Sequence, residues 1–413
     1  MTTRVRADDR LVVRTIPLDL PTADLLDLLP ADAPVTWLRH GDGLVGWGVA
    51  TIVRTAGPTR FSDAAKWWVE TVARAEIHDD VDEPGSGPVC FGSFAFGDEP
   101  GDSVLVVPRY VVGRRGGRGW LTTVSAAPPD LGPAAPAQAP AVTFADGALD
   151  GEQWMAAVAD GVQRINRGDL EKVVLARDLV ATSDVPVDVR WPLRNLVTDY
   201  PMCWTFHVDG LFGATPEMLV RRERGLVTSR VLAGTIRRTG DDERDLALAA
   251  TLARSSKDLE EHEYAVRSVA EALEPHCSSM NVPEAPFVLH LPNVMHLATD
   301  VNGVVHDAGE VSSLQLAEAL HPSAAVGGTP TPDAVALIAQ IEGMDRGRYA
   351  GPVGWMDATG DGEWGIALRS AAVDGSTVRL FAGCGIVGDS DPEAELAEAQ
   401  AKFLPVRDAL GPA

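Results

Sequence analysis

Four carboxylates fall into two pairs with helical spacing: Glu395 with Glu398, and Asp258 with Glu261. Residues three apart share a helical face, so each pair presents two acidic groups in one direction. Brought together, the pairs give a hard, oxygen-rich site that suits Mg²⁺ with several waters retained. The same spacing also suits solvated helix faces, and acidic residues near a helix N-terminus are favourable without any metal. Lys172 begins an apolar run, Val173-Val-Leu-Ala, where a partly buried ammonium can lose its proton and act as a base. A lysine snorkelling from a strand end to water has the same sequence pattern. Glu217 follows Pro216 in apolar surroundings, a setting that can keep a carboxyl protonated, as a general acid requires.

Other groups suit anion binding. Arg369 ends a segment, Glu363 to Ser370, that reads as a strand with alternate apolar residues, and a charge there either pairs with an acidic neighbour or binds an anion. Ala233-Gly-Thr235 offers backbone donors and a hydroxyl at a tight turn, which holds a carboxylate or simply serves the turn. Gly383, Gly385 and Gly388 let backbone come close to a small molecule. Lys+Arg 35 against Asp+Glu 59 leaves a net charge of −24, which argues against nucleic acid or an anionic membrane surface as the main partner. An anionic substrate would need cations supplied inside its own pocket. Cys90, Cys203, Cys277 and Cys384 are far apart and predict buried thiols rather than a zinc site or disulfides. The N-terminus lacks the apolar core of a signal peptide and no apolar run reaches membrane-spanning length, so the expected location is the cytoplasm.

The elements that must position these groups follow from periodicity and breaks. In 413 residues the chain has room for one large domain or two to three smaller ones. Residues 1–125 alternate short apolar runs with Gly and Pro breaks and predict an antiparallel β-rich part, with a helix near Ala64 to Ala75. Residues 126–149 open on a Pro/Ala-rich stretch that reads as a surface connection. Residues 150–410 carry all the candidate chemistry. There, Trp154, Val158, Val162 and Ile165 predict a helix over 150–167, followed at once by the strand that begins at Lys172. A hairpin is expected at Cys203 to Val220, and one long helix from about Arg244 to Leu273. His296 lies near the end of a further strand. The stretch from Phe381 to Lys402 reads as a strand, a glycine-broken turn and a helix that Ser390 or Asp391 can cap, with Pro392 in its first turn.

Lys172-Val-Val-Leu-Ala-Arg, Thr215-Pro-Glu, Leu232-Ala-Gly-Thr, Lys257-Asp-x-x-Glu-His, His296-Leu-Ala-Thr, His321-Pro-x-x-Ala-Val-Gly-Gly, Asp345-Arg-Gly-x-Tyr-Ala-Gly, Gly362-Glu-Trp and Ala382-Gly-x-Gly-Ile-Val-x-x-Ser-Asp-Pro occur in one order. This order resembles the chorismate-utilising enzymes of menaquinone, siderophore and tryptophan synthesis, over about residues 150–405. The resemblance implies an α+β fold with two facing antiparallel β-sheets, helices packed outside and the site between the sheets. It also implies that the acidic helices meet at Mg²⁺. By position, Glu261 and Glu398 match the direct ligands, and Asp258 and Glu395 match residues that hold metal-bound water. Arg369, Tyr349 and Lys402, with backbone at Gly383 to Gly385 and at Gly234-Thr235, would bind the two carboxylates of chorismate. His296 and Thr299 fall among the substrate-binding positions of the same motifs.

Within that resemblance, Lys172 decides most of the reaction. A lysine there is similar to those that activate water for attack at C2 of chorismate, while Glu217 would protonate the departing 4-hydroxyl, giving isochorismate. Salicylate synthases share the lysine and then eliminate pyruvate, and they are the alternative. Aminodeoxychorismate-forming members use a lysine where Ala233 stands, and members that add ammonia carry a different residue at position 172; ammonia use would here require a separate amidotransferase chain, so none is expected as a partner. Two departures touch the pocket: Ala399 stands where the family usually has Thr, and Ser323-Ala324 where it usually has Thr-Pro.

Overall fold

The computed structural model describes residues 10–135, 137–290, 294–307 and 309–411, with the side chains of Thr235, Lys257, Asp258 and Glu261 outside that description. The expected calls on those four side chains therefore lie outside the described residues. Twenty-one described strands form one hydrogen-bonded network. It is antiparallel apart from the pairing of Val12–Pro17 with Glu76–Asp79.

The network forks at the long strand Ser103–Arg115. One edge of that strand pairs along its length with Asp42–Thr55. The other edge divides, pairing with Val89–Ser93 towards its start and with Arg118–Val124 towards its end. From Asp42–Thr55 a first arm continues through Val35–Arg39, Trp204–Val208, Leu211–Thr215, Ser370–Asp374 and Thr377–Ile386 to Lys172–Ser183. From Val89–Ser93 a second arm runs through Pro352–Asp357, Gly362–Ile366, Met218–Glu223 and Leu226–Arg237 to Val294–Val305. The two expected sheets are these arms, and the fork makes them continuous.

Local chemistry explains the segments that carry the site. Asp209 and Gly210 both have positive φ, 49° and 85°, and close the hairpin Trp204–Val208 to Leu211–Thr215 with the turn that matches strand twist. Gly234, at φ 77°, sits where the register of Leu226–Arg237 shifts against Val294–Val305 between Ala233 and Thr235. The expected tight turn there is thus a bulge inside a strand, a device that re-aims neighbouring groups. The helix Gly151–Asn166 starts on a capping box made by Asp150 and Gln153. Its buried Trp154 donates from the indole to Ala176 O at 3.0 Å, docking the helix on the Lys172 strand.

Two expectations are corrected. The long helix is two, Asp242–Leu252 and Ser256–Leu273. Ala249 and Leu252 of the first pack on Met295 and Leu297, whereas Val266, Val269 and Leu273 of the second enter the main core, so one straight axis cannot serve both. The strand expected to run through Arg369 stops at Ile366, and the next begins at Ser370. Residues 142–146, within the expected connection, form a strand paired with Lys172–Ser183. All four cysteines are free and buried. No helix among the described residues is long and apolar enough to cross a membrane.

Candidate active site

Two short connections pass from one arm to the other near the cleft between them, and each carries a predicted site residue. Pro216 and Glu217 link Leu211–Thr215 to Met218–Glu223, while Ala367 to Arg369 link Gly362–Ile366 to Ser370–Asp374. The crossings are tied together by backbone bonds. Ile366 N donates to Glu217 O at 3.1 Å, and Ala214 N donates to Arg369 O at 3.2 Å. Arg369 holds φ at 48°, a left-handed conformation that an arginine adopts only when its surroundings impose it.

Beside these crossings lies a cavity of about 500 Å³ that draws on both arms and on the C-terminal helix Pro392–Leu410. Lys172, Gly383 and Gly385 come from the first arm; Gly234 and His296 come from the second. Glu217, Arg369 and Tyr349 line it too, as do Glu395, Glu398 and Lys402 from the helix. Of the remaining predicted positions, Thr299 is not among the lining residues. Its hydroxyl is 2.8 Å from His262 Nε2, and His262 Nδ1 lies 3.3 Å from Ala233 O. Thr299 thereby helps anchor the helix Ser256–Leu273 on the two strands that border the cavity.

Burial sets the protonation of the acid candidate. Glu217 is 7% exposed, and desolvation pushes its carboxyl up to about 7 against the pull of Lys172, Arg369 and Lys402. A carboxyl in that range is available as a proton donor near neutral pH. His296 is driven the other way, down to about 3, first by burial and then by Arg369 and Lys402, so it lines the cavity as a neutral imidazole. Burial also raises the Tyr349 hydroxyl above its ordinary value, and its ring stacks on Phe381 with centroids 5.1 Å apart.

The cavity answers the demand made by an acidic protein for local cations. Lys172, Arg346, Arg369 and Lys402 all line it. The Arg369 guanidinium makes no hydrogen bond or ion pair with the described residues, so it is available to an anion. Lys402 bridges Glu398, at 2.7 Å, and Gly383 O, at 2.9 Å. A Cβ on Gly385 would lie 2.9 Å from Lys172 Cε and displace that flexible side chain, whereas one on Gly383 would lie 2.9 Å from the fixed carbonyl Leu175 O.

The C-terminal helix begins as expected, with Asp391 accepting from Ala394 N at 3.2 Å. Ser390 donates to Glu395 at 2.8 Å instead of capping. Cys384, Glu395 and Glu398 have potential ligand atoms within 4.8 Å of one another. Burial raises the Cys384 thiol to about 12, and its S–H is engaged with Glu395 O at 3.4 Å. The usable donors are therefore carboxylate oxygens, a hard set that fits Mg²⁺. Burial of Glu398 opposes its charge, yet Lys402 and Arg369 outweigh this and hold its carboxyl below the usual value; burial leaves that of Glu395 above it.

Arg346 is the lining cation that has no counterpart among the predicted site positions. Arg346 forms a buried ion pair with Glu342, with nitrogens 2.6 and 2.7 Å from the carboxylate oxygens, and donates to Val326 O at 2.9 Å and Val174 O at 2.7 Å. Glu342 accepts from Ala176 N at 3.0 Å. The pair thus latches the Lys172 strand to the pocket wall. Their i, i+4 spacing was visible in the sequence, but the spacing alone carries no sign of burial.

The chorismate-binding enzyme family matches this chain over residues 35–136 and 130–411. The chain belongs to that family. Among relatives of this chorismate-binding enzyme, the vibriobactin-specific isochorismate synthase of Vibrio cholerae serotype O1 is 31% identical over 393 residues, 94% of each chain. Isochorismate synthase MenF of Bacillus subtilis is 38% identical over 275 residues, 66% of this chain and 58% of its own length. The chain thus matches little more than half of that relative. In structure it is similar to MenF, the menaquinone-specific isochorismate synthase from Escherichia coli, with a TM-score of 0.80 at 26% identity over 97% of this chain and 94% of the other.

Proposed function

We propose that the protein is an Mg²⁺-dependent isochorismate synthase that converts chorismate to isochorismate. The observation that carries this reading is the placement of Lys172 and of Glu217, with its carboxyl near 7, on the walls of one cavity that Arg369 also lines. Lys172 takes a proton from the water that attacks C2. The ring double bonds shift, and the hydroxyl at C4 leaves with the proton given by Glu217. One water enters and one leaves, so substrate and product are isomers. Arg369 and the backbone at Gly383 to Gly385 hold the carboxylates, and Tyr349 and His296 complete the walls. Base and acid act together only if each begins in its less common state, a neutral amine and a neutral carboxylic acid.

Glu398 would hold the metal and Glu395 a water bound to it, joined from the helix Ser256–Leu273 by Glu261 and Asp258. The ion would supply positive charge to orient and neutralise a substrate carboxylate. The isochorismate synthase names of the Vibrio and Bacillus relatives support the reaction, and the hard donor set supports the metal.

The test is product identification by chromatography after incubation with chorismate and Mg²⁺, before and after chelation. Isochorismate formed with the metal and lost on chelation is the expected result. Salicylate with pyruvate would select the lyase alternative, and no isochorismate with any divalent metal would overturn the reading.

A further inference from the structure

Glu217 also lines a second, much smaller cavity of about 20 Å³, whose lining does not include Lys172. That is enough for a single water, which requires roughly 10–15 Å³ and two or more polar partners. Its polar lining includes Glu217, Ser229, Arg230, Ser268 and Ser323. Most of these are already engaged or face solvent. Ser229 donates to Leu219 O at 2.6 Å. Arg230 pairs with Asp300 at 2.7 and 2.8 Å, and Ser268 is exposed. Ser323 differs: its Oγ is shielded from solvent and has no hydrogen-bond partner among the described residues. An orphaned buried hydroxyl beside a water-sized cavity is the usual mark of a bound water.

We propose that this cavity binds one water that bridges the Ser323 hydroxyl and the Glu217 carboxyl, making Ser323 a positioning residue for the general acid. Ser323 Oγ–H donates to the water, and the water donates to one carboxyl oxygen of Glu217. The other oxygen is left to carry the proton towards the large cavity. When that proton departs, the water is the donor that meets the new negative charge from the small cavity, while Lys172, Arg369 and Lys402 act from the walls of the larger one and Arg230 is occupied by Asp300. The inference rests on the role proposed for Glu217.

The experiment compares wild type, Ser323→Ala and Ser323→Thr in kcat, KM for chorismate and the high-pH limb of kcat, which follows the acid in the enzyme–substrate complex. Loss of a donor to a carboxylate raises its pKa, so the limb in Ser323→Ala moves up, by about half a pH unit for one ordinary hydrogen bond. Its kcat falls about five- to tenfold with KM within about twofold, a small part of the 10²–10⁴ that a general acid contributes. Ser323→Thr, which keeps the hydroxyl, restores both. A Ser323→Ala enzyme with wild-type kcat and limb, or a threonine variant as impaired as the alanine one, would overturn the bridge. A wild type that makes no isochorismate would instead remove the functional reading beneath it.

Discussion

Replacing Glu217 by glutamine should make the protein more stable at alkaline pH while nearly abolishing turnover. The unfolded chain ionises this carboxyl near its ordinary value of 4.5, whereas the folded protein holds it up at about 7 through burial. Its folded pKa is raised, so folding is fully favoured only below 4.5, and stability declines as pH rises from there through 7. At 1.36 kcal/mol per tenfold change in proton affinity, the full loss is about 3 kcal/mol. Glutamine keeps the shape and carries no charge, so it escapes that loss. Denaturant unfolding of both proteins at pH 5.5 and pH 8 measures the effect, and the advantage of Glu217→Gln should widen by about 2 kcal/mol between the two. A stability difference that stays constant with pH would refute the claim that burial holds Glu217 neutral.

Two further outcomes test the site and its frame. Lys172→Ala should lower kcat by about 10²–10⁴ with chorismate affinity little changed, measured by steady-state kinetics and binding; activity near wild type would remove Lys172 from the base role. Glu342→Ala should destabilise the fold by about 3–5 kcal/mol in denaturant unfolding, because it leaves Arg346 buried and uncompensated. A loss below about 1 kcal/mol would mean that the latch is held by its backbone bonds alone.

Much of the site was legible because its signals are local. The Lys172 strand, the Asp391-capped helix and the glycines at 383 and 385 each follow from a few neighbouring residues, and the motif order supplied their relation. Signals failed where three-dimensional context decides. Arg369 was placed on a strand because its neighbours alternate; its left-handed turn arises from the crossing between arms, which leaves no periodic trace. The break at 253–255 separates helices with different packing partners, and neither a glycine nor a proline marks it in the sequence. Gly234 was recognised as special, but a bulge and a turn demand the same residue. Likewise, Glu342 and Arg346 resemble any surface i, i+4 pair until their burial is known.

The fork at Ser103–Arg115 has a further consequence. No described residue before Lys172 lines the large cavity, yet the two arms that frame it are joined through strands drawn from the first third of the chain as well as by the crossings at Pro216–Glu217 and Ala367–Arg369. The spacing of Lys172 and Glu217 across the cavity therefore depends in part on a joint that lines none of it. Substitutions among the core residues there, such as Phe91 and Val106, reach the pocket only through the frame, since every group in the pocket keeps its identity. Directed evolution of this enzyme has two separate handles, pocket chemistry and arm geometry, encoded in different parts of the chain.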